Sequence, residues 1–235
     1  MQKTSEIYKT LLQNPNRDVE TRLTIGGVAY KGPILDLSTT GGLFSSQTPS
    51  IGCCVSREID FTIFPTFAIP RMAEIKVESR LILPDLLTGE VLEASEWLPK
   101  GTFYIDTRYT NVGDGSVVIH GYDAMLKAEQ PFLTDTTEDD WPKPMDEVVA
   151  EIAERMGVTV DSRTVVSHTL QAGYPLEYTM REVLGFIASA HAGNWIITDA
   201  GELRLVGLAD IPPETFYLVT EDGDAILFGD TRILI

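Results

Sequence analysis

The fold follows from two neighbouring segments, EWLPKGTFYID at residues 96–106 and VVIHGYDAMLK at residues 117–127. Both contain many β-branched and aromatic residues, a composition typical of strands. Asp114 and Gly115 lie between them, and this pair favours a tight hairpin turn because glycine accepts a positive φ angle. We therefore predict two strands, at 101–108 and 116–121, joined at this turn.

Towards the N-terminus, shorter runs of the same character predict further strands at 23–30, 35–44, 58–64 and 73–83. Regularly spaced short strands favour a closed or nearly closed antiparallel barrel, because closure removes exposed strand edges. Before these strands, the segment at 5–13 is predicted to form either one short helix or an edge strand. The turn residues Asn14, Pro15 and Asn16 end it in both cases.

Beyond Phe132 the pattern changes from strands to a linker and then to a helix. Residues 134–144 are acidic, contain two prolines and show no period, so we interpret them as a linker. Apolar residues at helical spacing predict a helix from Met145 to Met156, with acids in its first turn and Gly157 just beyond its end.

A second helix and a hairpin complete this part of the chain. Thr179 and Glu182 have the spacing of a capping box, which predicts a helix that begins there and stops at Gly193. Two β runs within 194–206 flank Gly201, a residue suited to the left-handed position of a three-residue hairpin loop. From 216 to 235 apolar runs alternate with acidic turns, so strand structure resumes.

These elements predict an α+β fold that is mainly β, in which an antiparallel β-barrel precedes a small helix-helix-hairpin domain. We expect four divisions of the chain: an N-terminal arm at 1–18, a first β-barrel domain at 19–133, an α+β middle domain at 134–208 and further strands at 209–235.

The composition is that of a globular, acidic chain. Its 235 residues are 43% hydrophobic, enough to build a core, and carry a net charge of −17. This acidity, without clusters of Lys and Arg, argues against sequence-specific contact with nucleic acid. No apolar run reaches the roughly 20 residues of a membrane helix, and residues 1–14 lack the pattern of a signal peptide. We expect synthesis in a cytoplasm and no stable membrane insertion.

The cysteines, histidines and acidic runs, which often form catalytic or metal sites, are interpreted here as structural. Cys53 and Cys54 are adjacent, which rarely allows a relaxed disulfide, so we interpret them as small buried residues. His120, His168 and His191 have no Cys or Glu at ligand spacing, and His191 lies on a helix face where packing or capping is expected. The acidic runs at 138–140 and 221–224 match no complete calcium loop. We expect no catalytic residues, no cofactor and no bound metal.

Several segments, in order along the chain, resemble the phage tail hub family, the tail-associated or baseplate hub-like proteins of siphophages and prophages. The strand pair that ends in YDAMLK, at 122–127, carries the strongest likeness. The other matching segments are 14–17 with 25–27 and Tyr30, then 51–52 with 59–63, and finally the helix at 179–188 followed by 193–195 and 199–204. Together these segments cover most of the chain.

The resemblance implies a non-enzymatic structural protein at the hub of the tail tip or baseplate, in a virion tail assembled in the bacterial host cytoplasm. Such hubs form rings that join the tail tube to the distal tip, and a homotrimer is the expected state. The implied partners are other tail proteins: the distal tail or tube protein, the tape measure protein, and tip or fibre proteins.

Residues 222–235 resemble the opening of a second barrel in these hubs, so 209–235 would form strands of that barrel or return strands. We expect either a compact hub completed by other strands or a piece of a longer protein. The expected interface residues are Phe103 and Ile105 on the aromatic strand, and Ile226, Phe228, Ile233 and Ile235 near the end of the chain.

Two alternative functions remain open. The chain would also suit the N-terminal hub part of a tail-associated peptidase or glycan hydrolase. A β-barrel adaptor or carbohydrate-binding module is the other alternative, with Trp97, Tyr104 and Tyr109 as a stacking platform for sugar rings.

Overall fold

The computed structural model describes residues 4–44, 48–133 and 135–208, together with the backbone at 227–228 and 231–232. It confirms the prediction of an α+β fold that is mainly β. The helices are α1 (Glu6–Gln13), α2 (Met145–Met156) and α3 (Met180–Ala190). The strands are β1 (Asp18–Ile25), β2 (Val28–Ala29), β3 (Ile34–Thr40), β4 (Cys54–Val55), β5 (Glu58–Ile63), β6 (Glu74–Pro84), β7 (Val91–Ala94), β8 (Leu98–Thr110), β9 (Val117–Asp123), β10 (Lys143–Pro144), β11 (Gln171–Ala172), β12 (Gly193–Ile197), β13 (Leu203–Gly207), β14 (Leu227–Phe228) and β15 (Thr231–Arg232).

The largest sheet is a curled antiparallel half-barrel with the strand order β2-β1-β6-β8-β9-β5-β3, and β7 lies beside β6. Within the described ranges no backbone pairing joins β3 to β1 or β2, so closure of the expected barrel is not observed there. The half-barrel therefore has two open edges.

Alternating side chains build the core of the half-barrel. In β5, Ile59, Phe61 and Ile63 are buried, while the residues between them point to the opposite face. Burying a side chain of this size stabilises a fold by about 1.5–3 kcal/mol. The other core residues are Leu23, Ile25, Tyr30, Ile69, Ala73, Ile75, Val77, Phe103, Ile105, Val117 and Ile119.

The predicted hairpin of β8 and β9 is present, but its connection is longer than a tight turn. Residues 111–116 form the loop, in which the Gly115 N–H donates to the Asn111 carbonyl at 2.9 Å. Gly115 has the expected positive φ of 77°. Asp114 instead accepts hydrogen bonds from the backbone N–H and hydroxyl of Ser116, which favours the wider loop.

Two helices pack on a small sheet to form the second core. The prediction of α2 is confirmed from Met145 to Met156, and Gly157 ends it with a φ of 68°. The capping box of Thr179 and Glu182 begins α3, also as predicted, but the helix ends at Ala190 and not at Gly193. The second core comprises Cys54, Ala124, Met125, Ala128, Phe132, Val148, Val149, Ile152, Ala153, Met156, Met180, Val183, Leu184, Ile187, Ala188, Trp195, Ile197, Leu203 and Leu205.

A short strand from the N-terminal half joins this second sheet. β4 pairs in parallel with β12, with Cys54 opposite Trp195, and β12 pairs with β13 on its other side. Cys54 is buried as expected, whereas Cys53 is only partly buried. No pattern in the sequence indicated β4, because it has only two residues.

Two other segments refine the sequence predictions. The segment at 5–13 is the helix α1, and the side chain of Ser5 caps its first turn. The expected linker at 134–144 contains a 3₁₀ turn and β10, and the Trp141 ring contacts Phe132 and Tyr174 edge-on. These aromatic contacts hold the segment against the protein although its sequence has no period.

The expected strands at 209–235 lie outside the described residues except for the backbone of β14 and β15, which pair antiparallel. Within the described ranges, no helix is both long enough and apolar enough to span a bilayer.

Candidate interaction surface

The predicted interface residues on β8 lie inside the half-barrel. Phe103 is 0% exposed and Ile105 is 2% exposed. Neither side chain can contact another subunit in this conformation. Ile226, Ile233 and Ile235 fall outside the described residues, as does the side chain of Phe228.

The candidate stacking residues do not form one aromatic platform. The guanidinium groups of Arg22 and Arg80 lie 4.4 and 4.6 Å from the centre of the Trp97 ring. Tyr104 packs against the second core, and only Tyr109, 64% exposed, presents most of its surface to solvent. No ring contact joins these three aromatic residues in the part of the chain that the structure describes.

The open edges of the half-barrel line opposite sides of a groove. Among the described strands, β3 pairs with β5 alone, and β1 has β6 on one side and the two-residue β2 on part of the other. A groove of about 290 Å³ lies between them, with Val19 and Thr21 from β1 and Leu37 and Thr39 from β3 in its walls. Unpaired edges of this kind can accept another extended chain.

A larger cleft of about 720 Å³ lies where β3 ends, next to the hairpin of β12 and β13. We call it the arginine cleft, because Arg57, Arg163 and Arg204 line it. It shares Thr39, Arg57 and Asp199 with the groove, so the two spaces adjoin. Asp199 and Glu202 also line this cleft, so its arginines lie among carboxylates.

Two of these arginines have close acidic partners. Arg57 Nη1 lies 2.6 Å from Asp199 Oδ1, and Arg57 Nη2 donates to the Lys100 carbonyl at 2.7 Å. Arg163 Nε donates to Asp161 Oδ1 at 2.8 Å, and its Nη2 donates to the other carboxylate oxygen. These hydrogen bonds from Arg163 lower the pKa of Asp161 to about 2.

Arg204 differs from the other two. Alternation along β13 buries Leu203 and Leu205 in the second core and directs Arg204 to the opposite face of the hairpin. Its Nε atom is buried and has no hydrogen-bond partner among the described residues. The charge of Arg204 contributes to the low pKa of Asp161, but the structure shows no ion pair between them within the described ranges.

A buried asparagine holds the loop after β3 beside this cleft. Asn194 is 0% exposed, and its Nδ2 donates to the carbonyls of Leu43 and Ser50 at 2.9 and 2.8 Å. Its Oδ1 accepts from the Cys53 N–H at 2.8 Å. One side chain of β12 therefore fixes the backbone at Leu43, Ser50 and Cys53.

A buried carboxyl group joins the half-barrel to the second core. Asp123 accepts hydrogen bonds from the backbone N–H groups of Arg57 and Met125, at 2.9 and 3.0 Å. Burial nevertheless raises the pKa of Asp123 to about 6, because removal from water penalises the charged form more than these bonds favour it.

Three side chains on the outer face of the half-barrel lie close enough together to bind a cation. The possible ligand atoms of Glu58, Asp60 and His120 all lie within 4.8 Å of one another, and His120 Nδ1 is 2.8 Å from Asp60 Oδ1. Spacing within one strand did not reveal this group, because Asp60 and His120 meet only through the pairing of β5 with β9.

The other two histidines have structural partners. His191 Nδ1 donates to the Ile187 carbonyl at 2.8 Å, and its Nε2 accepts from the Ser167 N–H at 2.9 Å. The prediction that His191 packs on or caps its helix is therefore confirmed. His168 Nδ1 lies 3.0 Å from Asp146 Oδ1 at the surface.

Comparison with known proteins gives a match in structure. No protein-family model matches the chain, and a search of curated proteins finds no significant match. The 43 kDa tail protein of prophage MuSo2 from Shewanella oneidensis is 14% identical with a TM-score of 0.52, and the match covers 89% of this chain and 61% of that one. A tail protein from Neisseria meningitidis MC58 is 12% identical with a TM-score of 0.53, and coverage is 86% and 54%. The chain thus spans less than two thirds of either structure, and it shares its fold with phage tail proteins.

Proposed function

We propose that this chain is a structural component of a phage or prophage tail, acting at the hub of the tail tip or baseplate. The observation that carries the proposal is the structural match over 89% and 86% of the chain to two tail proteins. The hub-like order of segments in the sequence supports the more specific role. This role is assembly and requires no catalytic group.

The open half-barrel supports assembly through strand edges. In the proposed hub, the edges of β3 and β1 pair with strands of neighbouring subunits, because unpaired N–H and C=O groups gain hydrogen bonds there. A closed ring of such contacts is a homotrimer in this proposal, and its outer faces contact other tail proteins. The protein then resides in the virion tail after synthesis in the host cytoplasm.

Light scattering of the purified chain over a range of concentration and salt tests this proposal. We expect a trimer that dissociates when Val19 or Leu35, exposed on the two edge strands, is replaced by lysine. Val112→Lys is the matched control, because Val112 is 98% exposed in the loop between β8 and β9, which are not edge strands of the described sheet. A strict monomer that also binds no neighbouring tail protein would contradict the hub role and favour an adaptor.

A further inference from the structure

Two neighbouring strands bring one histidine and two carboxylates together on the outer face of the half-barrel. Asp60 of β5 lies directly opposite His120 of β9, and Glu58 lies two residues before Asp60 on the same face of β5. The possible ligand atoms of all three side chains lie within 4.8 Å of one another. Because strand pairing fixes the backbone at these positions, the arrangement does not depend on a loop or on a chain terminus.

The spacing of these atoms is close to that of ligands around one metal ion. Zinc binds nitrogen and carboxylate oxygen at about 2.1 Å, so two ligands of a tetrahedral zinc ion lie about 3.4 Å apart. His120 Nδ1 and Asp60 Oδ1 are 2.8 Å apart and need to separate by only about 0.6 Å to bind the same ion. The other separations, at most 4.8 Å, need to close by less than about 1.5 Å, which side-chain rotation supplies.

Neither carboxylate has a lysine or arginine partner within the described ranges. Asp60 forms its ion pair there with His120, and Glu58 forms none. Arg181 shares a cavity wall with Glu58, but it is paired with Glu129 and also donates to the Cys54 carbonyl. Two carboxylates on one face of a strand repel each other, and a divalent cation between them offsets both charges. The net charge of −17 further attracts cations to the protein.

The three side chains are accessible and partly held in place. The side chains of Asp60 and His120 are 50% and 26% exposed, and Glu58 lines a cavity of about 410 Å³. The Tyr122 ring packs edge-on against the imidazole of His120 with the ring centres 4.8 Å apart, which restricts rotation of the imidazole. A hydrated ion can therefore reach all three ligands from solvent.

The donor set indicates which ions fit. Calcium and magnesium bind almost entirely through oxygen, whereas an imidazole nitrogen suits zinc and other divalent transition metals. One nitrogen and two carboxylate oxygens make three protein ligands, so a tetrahedral ion keeps one position for water. The two carboxylates balance the charge of the ion.

We propose that Glu58, Asp60 and His120 form a binding site for a divalent transition-metal ion such as zinc, which joins β5 to β9. The sequence alone predicts no metal here, because these ligands meet only through strand pairing. The inference does not depend on the tail assignment, and neither β5 nor β9 is one of the edge strands used in the proposed ring. Its failure would leave the oligomer test of the hub role unaffected.

The test titrates zinc chloride into the purified, chelator-treated chain without an affinity tag and measures binding by calorimetry. We expect one zinc ion per chain to bind at least about tenfold more tightly than calcium or magnesium. At a zinc concentration about 100 times Kd, the melting temperature should rise by roughly 5–10 °C and return to its starting value with a chelator. The chain has three histidines, so NMR of their ring signals identifies the ligand, and we expect the His120 signals to shift.

Variants of the ligands give the second arm of the test. Glu58→Gln, Asp60→Asn and His120→Asn should each weaken zinc binding at least about tenfold, since each removes one of three ligands. His168→Asn is the matched control. His168 Nδ1 also lies 3.0 Å from a carboxylate oxygen, that of Asp146, but this pair belongs to no group of three possible ligands within the described residues. Circular dichroism checks that each variant is folded.

Four results would overturn the proposal. The first is zinc binding by the native chain weaker than about 1 mM. The second is equal zinc affinity of the native chain and a folded His120→Asn variant. The third is a zinc-induced shift of the His168 or His191 signals without one of His120. The fourth is calcium binding as tightly as zinc, which would make the group a general acidic patch.

Discussion

Replacing Asn194 with alanine should destabilise the protein by about 3 kcal/mol, because a typical intramolecular hydrogen bond contributes about 1 kcal/mol. The side chain is 0% exposed and makes three such bonds, to Leu43, Ser50 and Cys53. Alanine removes the donor to the Leu43 and Ser50 carbonyls and the acceptor of the Cys53 N–H. The partly buried backbone groups that remain lose these hydrogen bonds, which costs free energy.

Chemical denaturation measures this loss as a shift in the midpoint at constant slope. For a chain of this size the same loss corresponds to a melting temperature lower by roughly 6–12 °C. Asn111→Ala is the matched control, because the Asn111 side chain is exposed and accepts only one backbone hydrogen bond, from Gly113 at 3.2 Å. We expect the control to lose no more than about 1 kcal/mol.

Equal losses in the two variants would refute the reasoning, and so would a loss below about 1 kcal/mol in Asn194→Ala. Either result would mean that water replaces the asparagine and that the loop after β3 is held by other contacts. A loss near the expected value would place Asn194 among the residues that shape the arginine cleft, because Leu43 directly follows the glycines in its wall.

Two further predictions concern the half-barrel. Gly121→Ala should destabilise the protein by about 2 kcal/mol or more in the same denaturation assay, since the added Cβ would lie 2.5 Å from the Tyr104 carbonyl oxygen; Gly113→Ala, with its nearest contact at 3.5 Å, should be nearly neutral. Asp123 has a folded-state pKa of about 6 against an ordinary 3.8, so the folded state binds the proton more tightly. Its contribution to stability is therefore full below about pH 4 and falls as the pH rises to 6. The unfolding free energy of the native chain relative to Asp123→Asn should decline by about 2–3 kcal/mol across that window and stay constant above it; a flat difference from pH 4 to 6 would contradict the assigned pKa.

Local signals in the sequence determined α2, the start of α3 and most of the longer strands, whereas α1 was left open between a helix and an edge strand. The helix at Met145–Met156 was predictable because apolar spacing, acids in the first turn and Gly157 all agree. The start of α3 was predictable because a capping box needs only two residues three positions apart. Strand composition likewise indicated a mainly β fold, since β-branched and aromatic residues suit a half-buried pleated surface.

Only the tertiary structure decided which strands pair and what their meeting faces contain. Alternation along a strand separates its two faces, but it does not say which face is buried or which strand lies alongside. Phe103 is therefore found in the core and not at an edge, and Asp60 meets His120 only through the register of β5 and β9.

The arginine cleft likewise depended on the tertiary structure and not on a local sequence signal. Arg57, Arg163 and Arg204 are far apart in the sequence and give no common motif, so their meeting depends on long-range packing. Asn194 bonds to Leu43 across 151 residues, a contact that no local pattern encodes. The sequence by itself determined the fold class and most of the longer elements, because those depend on near neighbours. The tertiary structure alone decided the strand pairing, the cleft and the position of Arg204, whose Nε has no hydrogen-bond partner among the described residues, because each arises from contacts between distant segments.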